Sequence, residues 1–248
     1  MSSHPESILT QCMVKYQTRR TEERVVAQER RRRRAETSRA EIVAAAEHRI
    51  AEFGYDATRL EDVATDVGLR RPGVLYHFPD KRQLYRAVLD DLFGDQINRL
   101  QRALAGSGSL AERIERAIDV AIDFLVERPA AARIALREAS ATDPAIRDEV
   151  RRQSGPLFDL LRLIFEEGER SGELNPVDTD PYFFLSAVAG TLIFYLAALP
   201  TFFERLPFDP LAPEQIDRLK RNMLRTVQRL LGMGGVRPVS ALEFEMRK

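Results

Sequence analysis

The sequence predicts an all-α protein: three short helices around a tight turn, then a larger helical region, with nine main helices in all. Three observations predict it. Apolar residues recur at the spacing of a helix along most of the 248 residues, and no run shows the alternation of a strand. Gly54 and Gly68 close the early periodic stretches, and the run Gly106, Ser107, Gly108, Ser109 interrupts the pattern where a second unit begins. A chain of this length, 44% hydrophobic, buries a sufficient core without covalent staples. Its single cysteine, Cys12, cannot form a disulfide within a monomer, which fits a reducing cytoplasm.

Residues 1–35 form a basic N-terminal extension that ends in five consecutive arginines, Arg30, Arg31, Arg32, Arg33 and Arg34. Two readings of that run stay open: a solvated tail, or an arm reaching DNA phosphates and the minor groove. Ser38 to Phe53 reads as a helix with Ile42, Ala46, Ile50 and Phe53 on one face. Thr58 and Glu61 have capping-box spacing, so the next helix is expected to start at Thr58, each side chain satisfying a free N–H. Leu60, Val63, Ala64 and Val67 are its apolar stripe and Gly68 ends it. Pro72 suits the first turn of a third helix, where its missing N–H would have had no partner. Val74 and Phe78 then face inward with Leu69, which leaves Arg70, Arg71, Gly73, Tyr76 and His77 outward.

Cationic, aromatic and very small residues gathered at a helix start suit an anion. Two short helices joined by a glycine turn, the second carrying such a set, are what a helix-turn-helix lays in the major groove of DNA. Thr58 and Arg59 at the start of the preceding helix are placed to reach phosphates, as is Lys81 at the start of the following one; Lys81 reads equally as an ordinary exposed lysine. The expected partner is a double-stranded DNA operator. The expected contacts are the arginine run with Thr58, Arg59, Arg70, Arg71, Pro72, Gly73, Tyr76, His77 and Lys81.

The order Gly54, Tyr55, Asp56, Ala57, Thr58, then Asp62-Val63-Ala64 and Gly68, then Tyr76-His77-Phe78-Pro79-Asp80-Lys81 with Leu84, resembles the N-terminal domain of the tetracycline-repressor (TetR) family. The resemblance covers Glu36 to Ile97, so residues 36–97 are expected to form the helix-turn-helix domain. Arg70 stands where many family members have Ser or Thr, and Leu75 where many have a phosphate-contacting Tyr, with Tyr76 one place later. The resemblance implies a transcriptional regulator, commonly a repressor that a small-molecule effector releases from its operator.

After Lys81 a long helical pattern through Leu84, Val88, Leu92 and Leu100 links the two halves. Residues 98–232 are expected to be the helical ligand-binding and dimerisation domain, and 233–248 a tail. Helical patterns run from Leu110 to Leu125, Pro129 to Ala141, Pro144 to Ser171 with an interruption near Gly155-Pro156, Asp180 to Leu199, and Pro213 to Leu231. Tyr182 to Leu199 is apolar on every face and must be buried all round. Its small residues Ser186, Ala187, Gly190 and Thr191 admit another helix closely, and Ile216, Leu219, Met223, Leu224, Val227 and Leu230 make a matching stripe. Two such helices from each subunit would form an isologous four-helix interface in a homodimer; burial within one monomer is the alternative. Phe124, Phe158, Leu161, Phe165, Phe184 and Tyr195 are candidate pocket residues, a reading that stays open beside plain core, and Arg137, four after Arg133, hints at an acidic head group.

Net charge is zero, but residues 1–82 hold 16 Lys and Arg against 13 Asp and Glu, and the remainder 22 against 25, so any nucleic-acid argument rests on local clustering. The first residues lack the basic start and apolar run of a secretory signal. Pro181 to Phe203 has no charged residue and is long enough to span a bilayer. Its acidic flanks, its Ser186, Gly190 and Thr191, and the lack of a second such segment favour a buried helix and no membrane. His4, His48 and His77 make no metal-ligand spacing, and there is no nucleophile elbow, P-loop or dinucleotide fingerprint. No metal, cofactor or enzymatic activity is expected; the alternative is a helical enzyme or ligand-binding protein with unrecognised chemistry in its C-terminal half.

If the arginine run is an arm, it adds affinity rather than specificity, because each neutralised phosphate steepens the dependence of log K on log salt by about 0.9 on B-form DNA. Deleting residues 1–34 is expected to flatten that slope in a fluorescence-anisotropy titration. An unchanged slope would identify the run as a solvated tail.

Overall fold

The computed structural model describes residues 38–139, 143–176, 180–203 and 205–233. Cys12, the run Arg30 to Arg34 and the tail beyond Met233 lie outside the described residues. In order come α1 (38–53), α2 (Leu60–Asp66), α3 (Arg71–His77), α4 (Lys81–Leu104), α5 (Leu110–Glu127), α6 (Pro129–Glu138) and α7 (Pro144–Ser171). Then α8 (Pro181–Ile193) runs through a π-helical stretch (Phe194–Ala198) into the short α9 (Leu199–Phe202), and α10 (Pro213–Leu230) follows. With the rod from Pro181 to Phe202 taken as one, the described residues form nine helices and no strand.

The first three helices form a small head. Ile42, Ala46 and Ile50 of α1, Val63 and Ala64 of α2, and Val74 of α3 belong to one buried cluster that continues through Leu84 and Val88 of α4 into the body. Gly54 at φ 85° turns the chain out of α1, and Gly68 at φ 67° ends α2, both in the left-handed region that favours glycine. Arg49 of α1 grips the Asp66 carboxylate at the end of α2 with both its Nε and its Nη2, the latter at 2.7 Å.

The start of α2 differs from the sequence expectation. The helix begins at Leu60 with Arg59 as its N-cap and no side-chain cap. Thr58 is instead buried, its hydroxyl donating to the Gly54 carbonyl at 2.8 Å, and Glu61 pairs with Arg71 Nε at 2.9 Å. A backward bond to the carbonyl four residues earlier competes with capping, and here it closes the turn between α1 and α2. The side-chain caps fall elsewhere. Asp80 accepts from the backbone N–H of Gln83 at 2.7 Å to start α4, and Ser109 with Glu112 forms a full capping box at α5.

In the body α4 and α5 run side by side, α7 packs across α4, and α8 lies against α6, α7 and α10. Glu149 of α7 is buried, accepting from Arg86 of α4 at 2.8 Å and from Arg152 at 2.7 Å. Arg113 of α5 holds Glu167 near the other end of α7 through both its Nη atoms, at 2.6 and 3.1 Å. Helix α7 is continuous through Pro156, where the sequence suggests an interruption. Pro156 sits on an exposed side, where water can take the carbonyl that its missing N–H leaves unpaired.

The rod from α8 is not buried all round. Phe184, Val188 and Leu192 are buried, whereas Phe183 and Phe194 are about half exposed, at 53% and 47%. The segment Pro181–Ala198 is long and apolar enough to cross a membrane by length and composition, yet it is one wall of the bundle. On α10 the stripe named from the sequence is largely spent inside the chain, since Ile216, Leu219, Met223 and Val227 are buried in its own core.

Candidate functional site

Two features lie along α4: an exposed face of the head beside its start, and a cavity of the body against Leu89 to Gln96. The face is built on α3. Arg70 is its N-cap, with no side-chain cap bond, as the arginine in a position commonly held by Ser or Thr implies. Arg70, Arg71, Pro72 and Tyr76 are exposed, Tyr76 at 81%. Gly73 and His77 are half-buried beside them, and the Tyr76 and His77 rings meet edge to face at 5.1 Å. A solvated tyrosine of that exposure contributes little to the fold, and its position between His77 and the α3 arginines gives a surface with aromatic and cationic character together. Arg59 is exposed at the start of α2, but Thr58 at 4% exposure presents no hydroxyl to a phosphate.

Lys81 is drawn inward. Its ammonium donates to the Asp56 carbonyl at 3.0 Å and lies 4.3 Å from the centre of the Tyr55 ring, tying the start of α4 to the turn before α2. Burial lowers its pKa, opposed by Asp56.

The cavity has a volume of about 330 Å³ and is walled by α4, α5, α6, α7 and α8, including Leu89, Phe93, Phe124, Ile134, Phe158 and Leu192. A second, wholly apolar space of about 100 Å³ adjoins it, lined by Leu161, Phe165 and Phe184 among others. Ala121, Leu157 and Val188 line both, so the two are neighbouring compartments of one apolar interior. Of the pocket residues named from sequence, Phe124 and Phe158 therefore meet in the larger space, and Leu161, Phe165 and Phe184 in the smaller. Tyr195 lines neither and stacks on Phe208 at 6.5 Å, and Arg137 reaches away to donate to the Glu52 carbonyl at 2.8 Å. Arg133 is exposed and also lines neither. Sequence reasoning missed Gln96, Glu138 and Ser154, the polar side chains of the larger wall; Glu138 closes α6 after the Ala-rich turn, but nothing in that pattern marks it as inward-facing.

Head and body meet along α1, α4 and α6. Arg128, at the corner between α5 and α6, pairs with Glu47 of α1 and with Asp91 of α4 at 2.8 Å. Its guanidinium lies 5.9 Å from the Phe124 ring, whose other described cationic neighbour is Arg99 at 5.5 Å. The Tyr55 and Tyr85 rings meet at 4.7 Å, and Arg137 packs against Gly54. Among the described residues no group of three or more His, Cys, Asp or Glu is placed to hold a metal ion.

A head of three short helices carrying an exposed cationic and aromatic face, on a helical body that encloses an apolar cavity, defines a helix-turn-helix DNA-binding regulator. Residues 42–88 match the family model of bacterial regulatory proteins of the tetR family, and residues 111–227 the tetracyclin repressor-like C-terminal domain. The chain belongs to the TetR family of transcriptional regulators. It is 28% identical over 159 residues to the HTH-type transcriptional regulator RutR of Escherichia coli K12, which spans 63% of this chain and 73% of that protein. Its fold is that of FadR from Bacillus subtilis, solved with stearoyl-CoA, at a TM-score of 0.63 with 18% identity over 76% of this chain and 96% of that one. It is also that of AibR, solved with isovaleryl coenzyme A and operator DNA, at 0.59 with 16% identity over 79% and 99%.

If the α3 face reads DNA, Arg71→Ala and His77→Ala each weaken operator binding in a gel-shift or anisotropy assay while helicity is retained. A base-reading arginine is worth about 1–3 kcal/mol of discrimination, whereas a phosphate contact weakens all sequences alike. Unchanged affinity in both variants would remove this face from the interface.

Proposed function

We propose that the chain acts in the cytoplasm as a homodimeric, ligand-released repressor rather than an enzyme. The α3 face, Arg70 to His77, reads an operator half-site with Arg59 and the Arg30 to Arg34 arm contacting phosphates, and an apolar or amphipathic effector enters the cavity of the body. The single observation that carries this reading is the double use of α4. Leu89, Leu92, Phe93 and Gln96 line the cavity, while only three residues separate α4 from α3 and its Tyr85 and Asp91 contact the head and its anchor. A ligand that shifts α4 must therefore move the head. Pockets for small molecules commonly run from about 300 to 1,000 Å³, so the larger cavity is of a useful size. The acyl-CoA ligands in the FadR and AibR structures support an effector with an apolar chain.

Dimerisation in this reading falls mainly to α8. Phe183, Gly190 and Phe194 share one exposed face at helical spacing, and the hydroxyls of Ser186 and Thr191 bond back to the carbonyls of Tyr182 and Ala187, which leaves the face less polar. The exposed side of α10 carries Arg218, Arg221, Arg225 and Arg229, so its share of an apolar contact is limited to edge residues such as Leu224. Nothing lies within 4 Å of a Cβ built at Gly190, so a side chain there fits the monomer without strain.

Selection from a random DNA pool is expected to yield a two-fold symmetric site, released by a compound from a panel of apolar metabolites. Sedimentation is expected to give a dimer at micromolar concentration that Gly190→Arg splits into folded monomers, since an arginine buried at a two-fold contact meets its own copy. An asymmetric single site, or a dimer unaffected by Gly190→Arg, would contradict the reading.

A further inference from the structure

The wall of the larger cavity is apolar except at Gln96, Ser154 and Glu138, and the adjoining space is wholly apolar; no Lys, Arg or His lines either. Glu138 is half-buried and is the last residue of α6, where helix carbonyls without partners concentrate partial negative charge. Among the described residues no cation lies within ion-pair distance of it, and Arg137, next in the chain, reaches the Glu52 carbonyl instead and acts on it only through space. The group that faces Glu138 is the Tyr85 hydroxyl. Tyr85 is 2% exposed and its hydroxyl makes no hydrogen bond of normal geometry, so carboxyl and hydroxyl form a pair that is incompletely satisfied at the edge of an apolar space.

Resting on the reading of this cavity as the effector site, we propose that it selects a cationic amphiphile: an apolar body filling the two compartments and a protonated amine seated against Glu138. An ammonium brings three hydrogen-bond donors and a positive charge to a site whose protein groups offer a carboxylate, the carbonyl end of α6 and the oxygens of Gln96 and Ser154. Burying that carboxylate beside apolar atoms is costly while it lacks a counter-ion, and the amine removes the cost on binding. An apolar acid of the same length meets the reverse. Its carboxylate faces like charge with no cation in the wall, and rejection by an unpaired charge discriminates more strongly than a change of shape. Burial already holds the Glu138 carboxyl above its usual range, opposed by the nearby Tyr85 hydroxyl and reinforced by Asp56, as expected of an acid that waits for a cation.

The test uses the full chain and three probes of one chain length, n-decylamine, n-decanol and n-decanoate, titrated calorimetrically at neutral pH below the concentrations at which they aggregate. The expected result is that decylamine binds at least about tenfold more tightly than decanoate, and that Glu138→Gln, which keeps shape and removes charge, brings the two to within about twofold. Equal or tighter binding of decanoate by the natural chain would overturn the proposal, as would an amine preference that survives Glu138→Gln. Decanol reads the cavity independently of its head-group chemistry. Its binding is expected to be weakened in Val188→Trp, whose larger side chain intrudes where the two compartments meet, with the helical circular dichroism spectrum retained; Ala121→Phe is the alternative obstruction should Val188→Trp not fold. If decanol does not bind the natural chain, the cavity reading falls and the proposal with it. Decanol bound in the cavity with no amine preference overturns the proposal alone.

Discussion

The head depends on α4. Helices of seven residues such as α2 and α3 are far below the length at which a helix is stable in water by itself, so their geometry has to come from tertiary packing. Leu84 and Val88 on one side of α4 supply the apolar surface that completes the cluster of Ile42, Val63 and Val74, and the bonds of Arg49 to Asp66 and of Lys81 to Asp56 hold the ends of the short helices. The same helix is a wall of the body, clamped to α7 by Arg86 and Glu149. A rigid rod shared by two cores cannot move in one without moving in the other, because packed interiors have discrete arrangements rather than a continuum of them.

Charge pairing concentrates at the same junction. Arg128 joins Glu47 of the head, Asp91 of α4 and the Phe124 ring of the cavity wall, so one side chain touches all three parts. Glu47 is 8% exposed, and breaking a pair at that depth leaves a buried charge without compensation, a larger loss than an exposed ion pair would bring. The junction therefore resists slow drift between head and body. A displaced Phe124 ring would be felt at Glu47 through a single intermediate residue.

Much of this was legible in the sequence because the signals were local. Gly54 and Gly68, Pro72 before an apolar pair four apart, and the long stripe from Leu84 each state their role within a few residues, and they sufficed to place the head and the α3 face. What escaped depended on partners distant in the chain. Thr58 and Glu61 have the spacing of a cap, but Gly54 and Arg71 compete for them and win. Arg137 reads as a pocket cation until the α1 terminus, 85 residues earlier, takes its guanidinium. Glu138 gives no sequence signal at all, since only the packing of α6 against α7 and α8 decides that the residue after Arg137 turns inward. The rod from Pro181 is apolar on every side and reads as buried all round, whereas Phe183 and Phe194 stay exposed, because the spacing of apolar residues does not say how many neighbouring helices the chain supplies.

If cavity and head form one thermodynamic unit through α4, linkage binds their two affinities together without reference to any kinetic model. If the effector weakens operator binding, the operator must weaken effector binding by the same factor; a factor of about 100 corresponds to about 2.7 kcal/mol of coupling. The measurement is a calorimetric titration of the effector into the protein alone and into the protein saturated with its selected operator. A markedly weaker effector affinity is expected in the second titration, matched to the loss of operator affinity. Equal effector affinity in the two titrations would show that the cavity and the DNA-reading face act independently, and would contradict that coupling.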